Sequence, residues 1–213
     1  MPKSDFLLYV DSRFTSPYAM SAFVTLHEKG LPFDVQTLDL AQRENQRADF
    51  AALTVTRRVP TLVHGDFSLS ESSAISEYLE ERHPAPPVYP RELRARARSR
   101  QVQAWLRSDL MALRQERSTE VVFYQPVRTA LTESAQAAAD KLIAAADALL
   151  PPGADHLFGA WCIADTDLAL MLNRLVINGD AVPERLARYA RVQWQRPSIQ
   201  AWIERAQGQQ RRG

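Results

Sequence analysis

Arg82-His83-Pro84-Ala85-Pro86-Pro87-Val88-Tyr89-Pro90 divides the chain into two halves of different character. Its prolines lock φ and remove backbone donors, so no helix continues through it and an extended linker is expected over 83–90. Before it the segments are short and of mixed period. Residues 6–10 are an apolar run of strand length. Ala19, Ala22, Phe23 and Leu26 recur at i, i+3, i+4 and i+7, the spacing of an amphipathic helix, which Gly30 ends. Residues 33–38 read as a strand and 44–54 as a loop or weak helix. Two short strands, 61–64 and 67–69, flank the Gly65-Asp66 turn. Ala74, Ile75, Tyr78 and Leu79 form the last stripe. The order over residues 1–82 is β-α-β-α-β-β-α.

Beyond the prolines, over 91–213, the pattern is helical throughout. Val102, Trp105, Leu106 and Leu113 line one face of a long helix starting near residue 91. The alanine-rich stretch 132–150 turns Leu142, Ile143, Ala146 and Leu149 inward and stops at Pro151-Pro152. Residues 163–178 are apolar nearly all round, as in a central buried helix, and Gly179 closes it. A last helix follows Pro197, with Ile199, Trp202 and Ile203 as its stripe. The expected fold is a small α/β domain followed by an all-α domain.

Composition narrows the function. Of the 213 residues 46% are apolar and 24% charged, which suits a folded globular chain and excludes disorder as the main state. Lys and Arg number 26 against 25 acids, so a net charge of +1 supplies no field towards nucleic acid or membrane. The single cysteine, Cys162, excludes an internal disulfide, a CxxC redox pair and a cysteine-built zinc site. His27, His64, His83 and His156 do not fall at ligand spacing, so no metal is expected. No stretch approaches the ~20 apolar residues of a membrane span, and the apolar run after Met1-Pro2-Lys3-Ser4-Asp5 is too short for a secretory core. A cytoplasmic location is expected.

Three segments carry chemistry. In Thr56-Arg57-Arg58-Val59-Pro60-Thr61-Leu62 a proline immediately precedes a strand. A cis Val59–Pro60 bond would turn the Val59 N–H and C=O outward, towards an extended peptide ligand, while a trans proline would simply start an edge strand. In Leu69-Ser70-Glu71-Ser72-Ser73-Ala74-Ile75 a strand leads into a helix whose N-terminus favours a carboxylate. Ser72 would add a hydroxyl to that anion site and Glu71 an acid for an ammonium on the same ligand; the alternative is simple helix capping, with Ser70 or Ser72 as N-cap and an acid in the first turn. In Asp11-Ser12-Arg13-Phe14-Thr15-Ser16-Pro17-Tyr18, Pro17 suits the first helical position and makes Ser16 the natural N-cap. A capping hydroxyl can accept from the helix and still donate its own proton to a thiolate.

These segments, together with Leu157-Phe158-Gly159-Ala160-Trp161-Cys162-Ile163-Ala164-Asp165, resemble the cytosolic glutathione transferases over essentially the whole chain. Residues 103–111 and 162–170 look more closely like the bacterial YfcF-type transferases. The resemblance implies a thioredoxin-like first domain (1–82), the proline-rich linker (83–90) and an all-helical second domain (91–213). It implies glutathione as co-substrate, held at Val59 by its cysteinyl backbone, at Glu71 and Ser72 by its γ-glutamyl ammonium and carboxylate, and at Arg58 by its glycine carboxylate. It further implies a homodimer acting on small electrophiles, with glutathione-dependent peroxidase activity in oxidative stress as an extension. Phe14, Met111 and Tyr124 are expected on the wall of the electrophile cleft. Asp165 takes the family's buried capping role, but Cys162 stands where a Ser or Thr is usual, weakening half of that box.

The thiol-activating position departs from the pattern, because no tyrosine or cysteine occupies it. Ser16 and Thr15 are both candidates; Pro17 directs the residue before it across the helix start, which favours Ser16. Two other readings share much of this pattern: a zeta-like glutathione-dependent isomerase, and a non-catalytic module that binds partner proteins. A glutaredoxin-like reductase is excluded by the lack of a cysteine in the first domain. Arg91, Arg94, Arg96, Arg98 and Arg100 read as a solvated helix face or an electropositive rim. Asp109, a charge on a helix stripe, is expected to face the active-site cleft or a dimer interface.

Overall fold

Strand β1 (Phe6–Asp11) is the centre of the first half, because its side chains alternate inward and outward as a pleated strand requires. Phe6, Leu8 and Val10 face the core; fully burying each such side chain stabilises the fold by about 1.5–3 kcal/mol. The computed structural model describes residues 4–211, so the expected domain limits at 1 and 213 lie outside the described residues. Helix α1 (Pro17–Glu28) leads to β2 (Phe33–Leu38), which pairs parallel with β1. A 3-10 turn at Glu44–Gln46 and the short α2 (Ala48–Leu53) follow. Strands β3 (Thr61–His64) and β4 (Phe67–Ser70) form the hairpin about Gly65, whose φ of +62° the turn requires. Helix α3 (Ser72–Arg82) completes a four-stranded mixed sheet of order β2-β1-β3-β4 with its helices, a thioredoxin-like domain.

Helix α1 is buried from Ala19 to Leu26 on nearly every side, more than a single amphipathic stripe predicts. Its other neighbours explain this. Thr25 Oγ1 meets Ser76 Oγ of α3 at 2.8 Å, and Phe23 packs edge-on against Phe33 and Trp202.

The proline run is no free extended linker. The buried Lys29 ammonium donates to Glu80 Oε2 at 2.7 Å, His83 O at 2.7 Å and Pro86 O at 2.9 Å. Glu80 Oε2 also accepts the Val88 N–H at 2.9 Å. Three donors thus meet three acceptors, which makes burial of this ion pair tolerable and ties residues 83–88 to α1 and α3. The chain accordingly divides into compact units at Val88 and Tyr89, and the described residues from Ala201 on group with the first unit, where Trp202 packs edge-on against Phe14.

The second unit is all-helical. Helix α4 (Leu93–Ser108) is capped by Glu92, whose carboxylate accepts from Arg94 and Ala95 N–H at 2.9 and 2.7 Å. The single long helix expected here is in fact broken. Leu110 adopts a left-handed φ of +62°, and Leu113 belongs to a separate helix, α5 (Met111–Glu116). Asp109 makes the break: its carboxylate accepts from Leu110 N–H at 2.7 Å, from the Trp105 indole at 2.9 Å, and from Lys141. Those bonds, that of Lys141 foremost, hold the Asp109 carboxyl down to about 2. Asp109 is thus a tie within the second unit, with its side chain still about one-third exposed.

Helices α6 (Glu120–Phe123), α7 (Glu133–Leu149) and α8 (Ile163–Val176) follow. The inward face of α7 is Ala135, Ala139, Leu142 and Ala146, with Ile143 and Leu149 only half-buried, one position round from the expected stripe. Helix α8 is the buried centre. Helix α9 (Glu184–Trp194), which the apolar pattern does not announce, packs beside it. Helix α10 (Pro197–Gln210) ends the described chain. Arg91, Arg94, Arg98 and Arg100 are exposed, while Arg96 Nε donates to Pro90 O at 2.9 Å.

Asp165 is the polar hub of this unit. Its buried carboxylate accepts from Leu157 N–H and Cys162 N–H, each at 2.9 Å, and from the Tyr189 hydroxyl at 2.8 Å. Both contacts of the capping box are present, with the Cys162 sulfur as the weaker acceptor of the two. Burial and the neighbouring Asp165 charge push the Cys162 thiol far above its ordinary range. Cys162→Ser is therefore expected to leave any turnover of the chain within about twofold, because a fully protonated, buried sulfur is no nucleophile. A loss of turnover at an unchanged melting temperature would assign the chemistry to this thiol.

Candidate functional site

Strand register brings the sequence-predicted residues of the first unit to one end of its sheet. Tyr9, Thr61 and Ser70 lie side by side across β1, β3 and β4. The loop after β1 (12–16), the loop before β3 (57–60) and the turn after β4 (71–72) therefore leave the sheet at the same end. Two helices, α1 and α3, start there, so two positive dipole ends and their free N–H groups converge on it.

Ser16 is the N-cap of α1, in extended backbone, with its Oγ accepting from Ala19 N–H at 3.2 Å. Among the described residues its own proton is committed to no acceptor. Thr15 is different. Its Oγ1 donates to Asp11 Oδ2 at 3.0 Å and its N–H donates to the same oxygen at 2.7 Å. Phe14, between them and β1, has a left-handed φ of +53°. Its ring is 3% exposed and meets Trp202 edge-on at 5.0 Å, so the expectation of a cleft-wall residue is corrected to internal packing. Tyr9 packs edge-on against Phe50, and burial together with Asp49 holds its phenol above the ordinary range.

The Val59–Pro60 bond is cis, and Val59 is half-buried. The preceding residues are braced from both sides. Asn45 Nδ2 donates to Arg57 O at 2.9 Å, and Thr61 Oγ1 donates to Arg58 O at 2.8 Å. The Arg58 guanidinium is exposed. Arg57 has φ +52°, a second left-handed residue in these loops.

Glu71 is the third. It is the N-cap of α3, at φ +75° and ψ 115°, and its carboxylate makes no capping bond. A non-glycine residue in such a conformation costs about 1–3 kcal/mol, and strain of this kind collects at functional sites. The ordinary-cap reading of Glu71 therefore fails on geometry: the side chain is exposed and does not serve the helix. Ser72, next along, is 2% exposed at the first position of the helix. A pocket of about 350 Å³ adjoins this turn, lined by Leu53, Thr54 and Val55 on one side and Ser68, Leu69 and Ser70 on the other.

Met111 and Tyr124 belong to the second unit. Met111 opens α5 and is 55% exposed; Tyr124, half-buried, ends α6. The residue that sequence reasoning left without a role is Asp11, quoted there only as the first residue of the segment 11–18. An acid at a strand end, four and five residues before Thr-Ser-Pro, was the available signal.

This arrangement is that of a thioredoxin-like domain with a cis-proline loop and a strained acid opening a helix, followed by an all-helical domain. Residues 12–87 match the family model "Glutathione S-transferase, N-terminal domain", and 92–207 match "Glutathione S-transferase, C-terminal domain". The chain belongs to the glutathione S-transferase family. It is 38% identical over 90 residues to Glutathione S-transferase 1 of Dianthus caryophyllus, covering 42% of this chain and 41% of that one. It is 32% identical over 139 residues to Glutathione S-transferase theta-3 of Mus musculus, covering 62% and 57%. The chain thus spans about two-fifths to three-fifths of the length of these curated relatives. A crystal structure of a glutathione transferase homologue from Burkholderia gl BGR1, with bound glutathione, superposes with a TM-score of 0.79 at 48% identity, covering 95% of this chain and 98% of that one. The holo structure of a zeta-class maleyl pyruvate isomerase shares the fold, with a TM-score of 0.73 at 24% identity over 92% and 95% of the chains.

Proposed function

We propose that this protein binds glutathione in its first unit and activates the thiol for attack on small electrophiles. The observation that carries the reading is Glu71: a strained, exposed carboxylate that caps nothing, beside the buried Ser72, at the sheet end shared with Ser16 and Val59. The donor set fits the tripeptide. The start of α3 with Ser72 suits the γ-glutamyl carboxylate and Glu71 the ammonium beside it. Val59 serves the cysteinyl backbone, and Arg58 the glycine carboxylate.

A free thiol with a pKa near ~8.5 holds little thiolate at neutral pH. The Ser16 hydroxyl and the start of α1 favour the charged form, so the thiol proton leaves to solvent and the sulfur is ready. It then forms a bond to an electrophilic carbon while the leaving group departs with its electron pair. With a hydroperoxide the sulfur takes one oxygen as the O–O bond breaks, giving an alcohol and a sulfenic acid. A second glutathione converts that to the disulfide and water. We place the chain with the YfcF-type transferases, on the segments 103–111 and 162–170, as a cytoplasmic homodimer. Met111 and Tyr124 are proposed contacts for an apolar electrophile on the second unit.

Retention on immobilised glutathione, followed by turnover against a panel of aryl halides, hydroperoxides and maleyl compounds, tests the reading. Retention with conjugation or peroxide reduction is expected. Retention without any turnover would make the protein a binding module, and turnover of maleyl compounds alone would make it an isomerase.

A further inference from the structure

We propose that Asp11 is the positioning residue of this site: its carboxylate holds the 12–16 loop in the form that presents the Ser16 hydroxyl to the bound sulfur. The proposal rests on the reading of Ser16 as the activating group. Asp11 ends β1 and is 5% exposed. Its two carboxylate oxygens turn into the loop, Oδ2 accepting from Thr15 N–H at 2.7 Å and Thr15 Oγ1 at 3.0 Å, and Oδ1 accepting from Ser16 N–H at 3.0 Å. Its backbone carbonyl accepts from Phe14 N–H at 3.0 Å, and the next residue, Ser12, donates to Leu38 O of β2 at 2.8 Å. One side chain thereby fixes two successive residues around a left-handed Phe14 that the loop would not otherwise favour.

Two consequences follow for the chemistry. With its N–H held on Asp11, Ser16 keeps the extended backbone of an N-cap, its Oγ accepts from Ala19, and among the described residues no acceptor takes its proton. Thr15, with its proton on Asp11, has none to offer a sulfur, so the two adjacent hydroxyls have separate tasks. Against this, a carboxylate near a thiolate is repulsive. The positioning effect and the charge effect of Asp11 therefore act on the thiol with opposite signs, and this makes them separable.

The test is a cycle of Asp11→Asn and Ser16→Ala, singly and together, with Thr15→Val as a variant that keeps the charge. The thiol titration of bound glutathione is followed by ultraviolet absorbance, and affinity for S-methylglutathione reports binding without a thiol. Positioning predicts that Asp11→Asn raises the thiol pKa by about half a unit to one unit when Ser16 is present, and does not raise it in the Ser16→Ala background. Thr15→Val should shift it the same way by less, lowering turnover about two- to threefold, because two amide bonds to Asp11 remain. S-methylglutathione affinity should change less than about twofold in all of them. A lowered or unchanged pKa with Asp11→Asn, alike in both backgrounds, would overturn the proposal by reducing Asp11 to a bystander charge. An unshifted thiol in Ser16→Ala alone would overturn the Ser16 reading itself and this proposal with it. If Asp11→Asn does not fold, Thr15→Val decides: a shift that needs Ser16 supports positioning, and no shift overturns it.

Discussion

Glu71→Gln is expected to weaken glutathione binding about tenfold while leaving the melting temperature in place. The proposed charge-assisted contact to the ligand ammonium would contribute about 1.5–3 kcal/mol, and exposure to solvent puts the effect at the lower end. Glutamine keeps the length and the backbone, so α3 starts as before. Glu71→Gly separates fold from function further. The φ of +75° strains glutamate but not glycine, so relief of about 1 kcal/mol should raise the melting temperature by about 2–4 °C, while binding falls at least as far as in the Gln variant. Calorimetric titration with glutathione and thermal unfolding of both variants measure the two effects. Unchanged affinity in the Gln variant would remove Glu71 from the site.

The same residue shows what the sequence could and could not reveal. An acid before Ser-Ser at a helix start reads equally as an ordinary cap, because both uses favour the same residue types. Only the backbone angle and the uncapped carboxylate distinguish them. The secondary structure of the first unit was legible because its strands are short apolar runs and its turn carries Gly65-Asp66. Placement of the candidate residues at one sheet end depends on register, which no single segment contains.

Long-range polar contacts were the least legible. Nothing in the local pattern around Lys29 or Glu80 singles them out, yet they pin the proline run through a buried ion pair. Asp109 read as a misplaced charge on a continuous helix, because the periodicity of Val102, Trp105 and Leu106 runs on into Leu113. The break is held by Asp109, which accepts from Leu110 N–H, from the Trp105 indole and from Lys141, 32 residues on. Helix α9 was hidden because alanines and a tyrosine, set among arginines, carry its buried face. Phe14 was expected on a cleft wall, and no local pattern shows that Trp202, 188 residues on, packs edge-on against it.

Ser16→Ala should lower turnover about 10- to 100-fold, whereas substituting Thr15 costs two- to threefold. Removing one preorganised donor to a developing charge costs about 10²–10³ in a desolvated site and less where water can substitute. Ser16 is half-buried, which sets the smaller figure. The hydroxyl has two jobs, since it also caps α1 through Ala19 N–H. About 1 kcal/mol of stability is expected to go with that cap, so turnover alone would confound a weakened helix with a lost donor. The pH profile separates them. A donor to the sulfur favours the thiolate, and its removal raises the bound thiol's pKa back towards the free value near ~8.5. The rising limb of the turnover profile, which follows thiol deprotonation, should therefore move to higher pH, with part of the lost rate recovered there. Cap loss alone would lower the melting temperature and leave the profile where it was. The start of α1 and its remaining N–H groups stay in place, so residual activity above the uncatalysed rate is expected. If instead Thr15→Val moves the thiol titration and Ser16→Ala does not, the hydroxyl that meets the sulfur is that of Thr15, and its bond to Asp11 must open when glutathione binds.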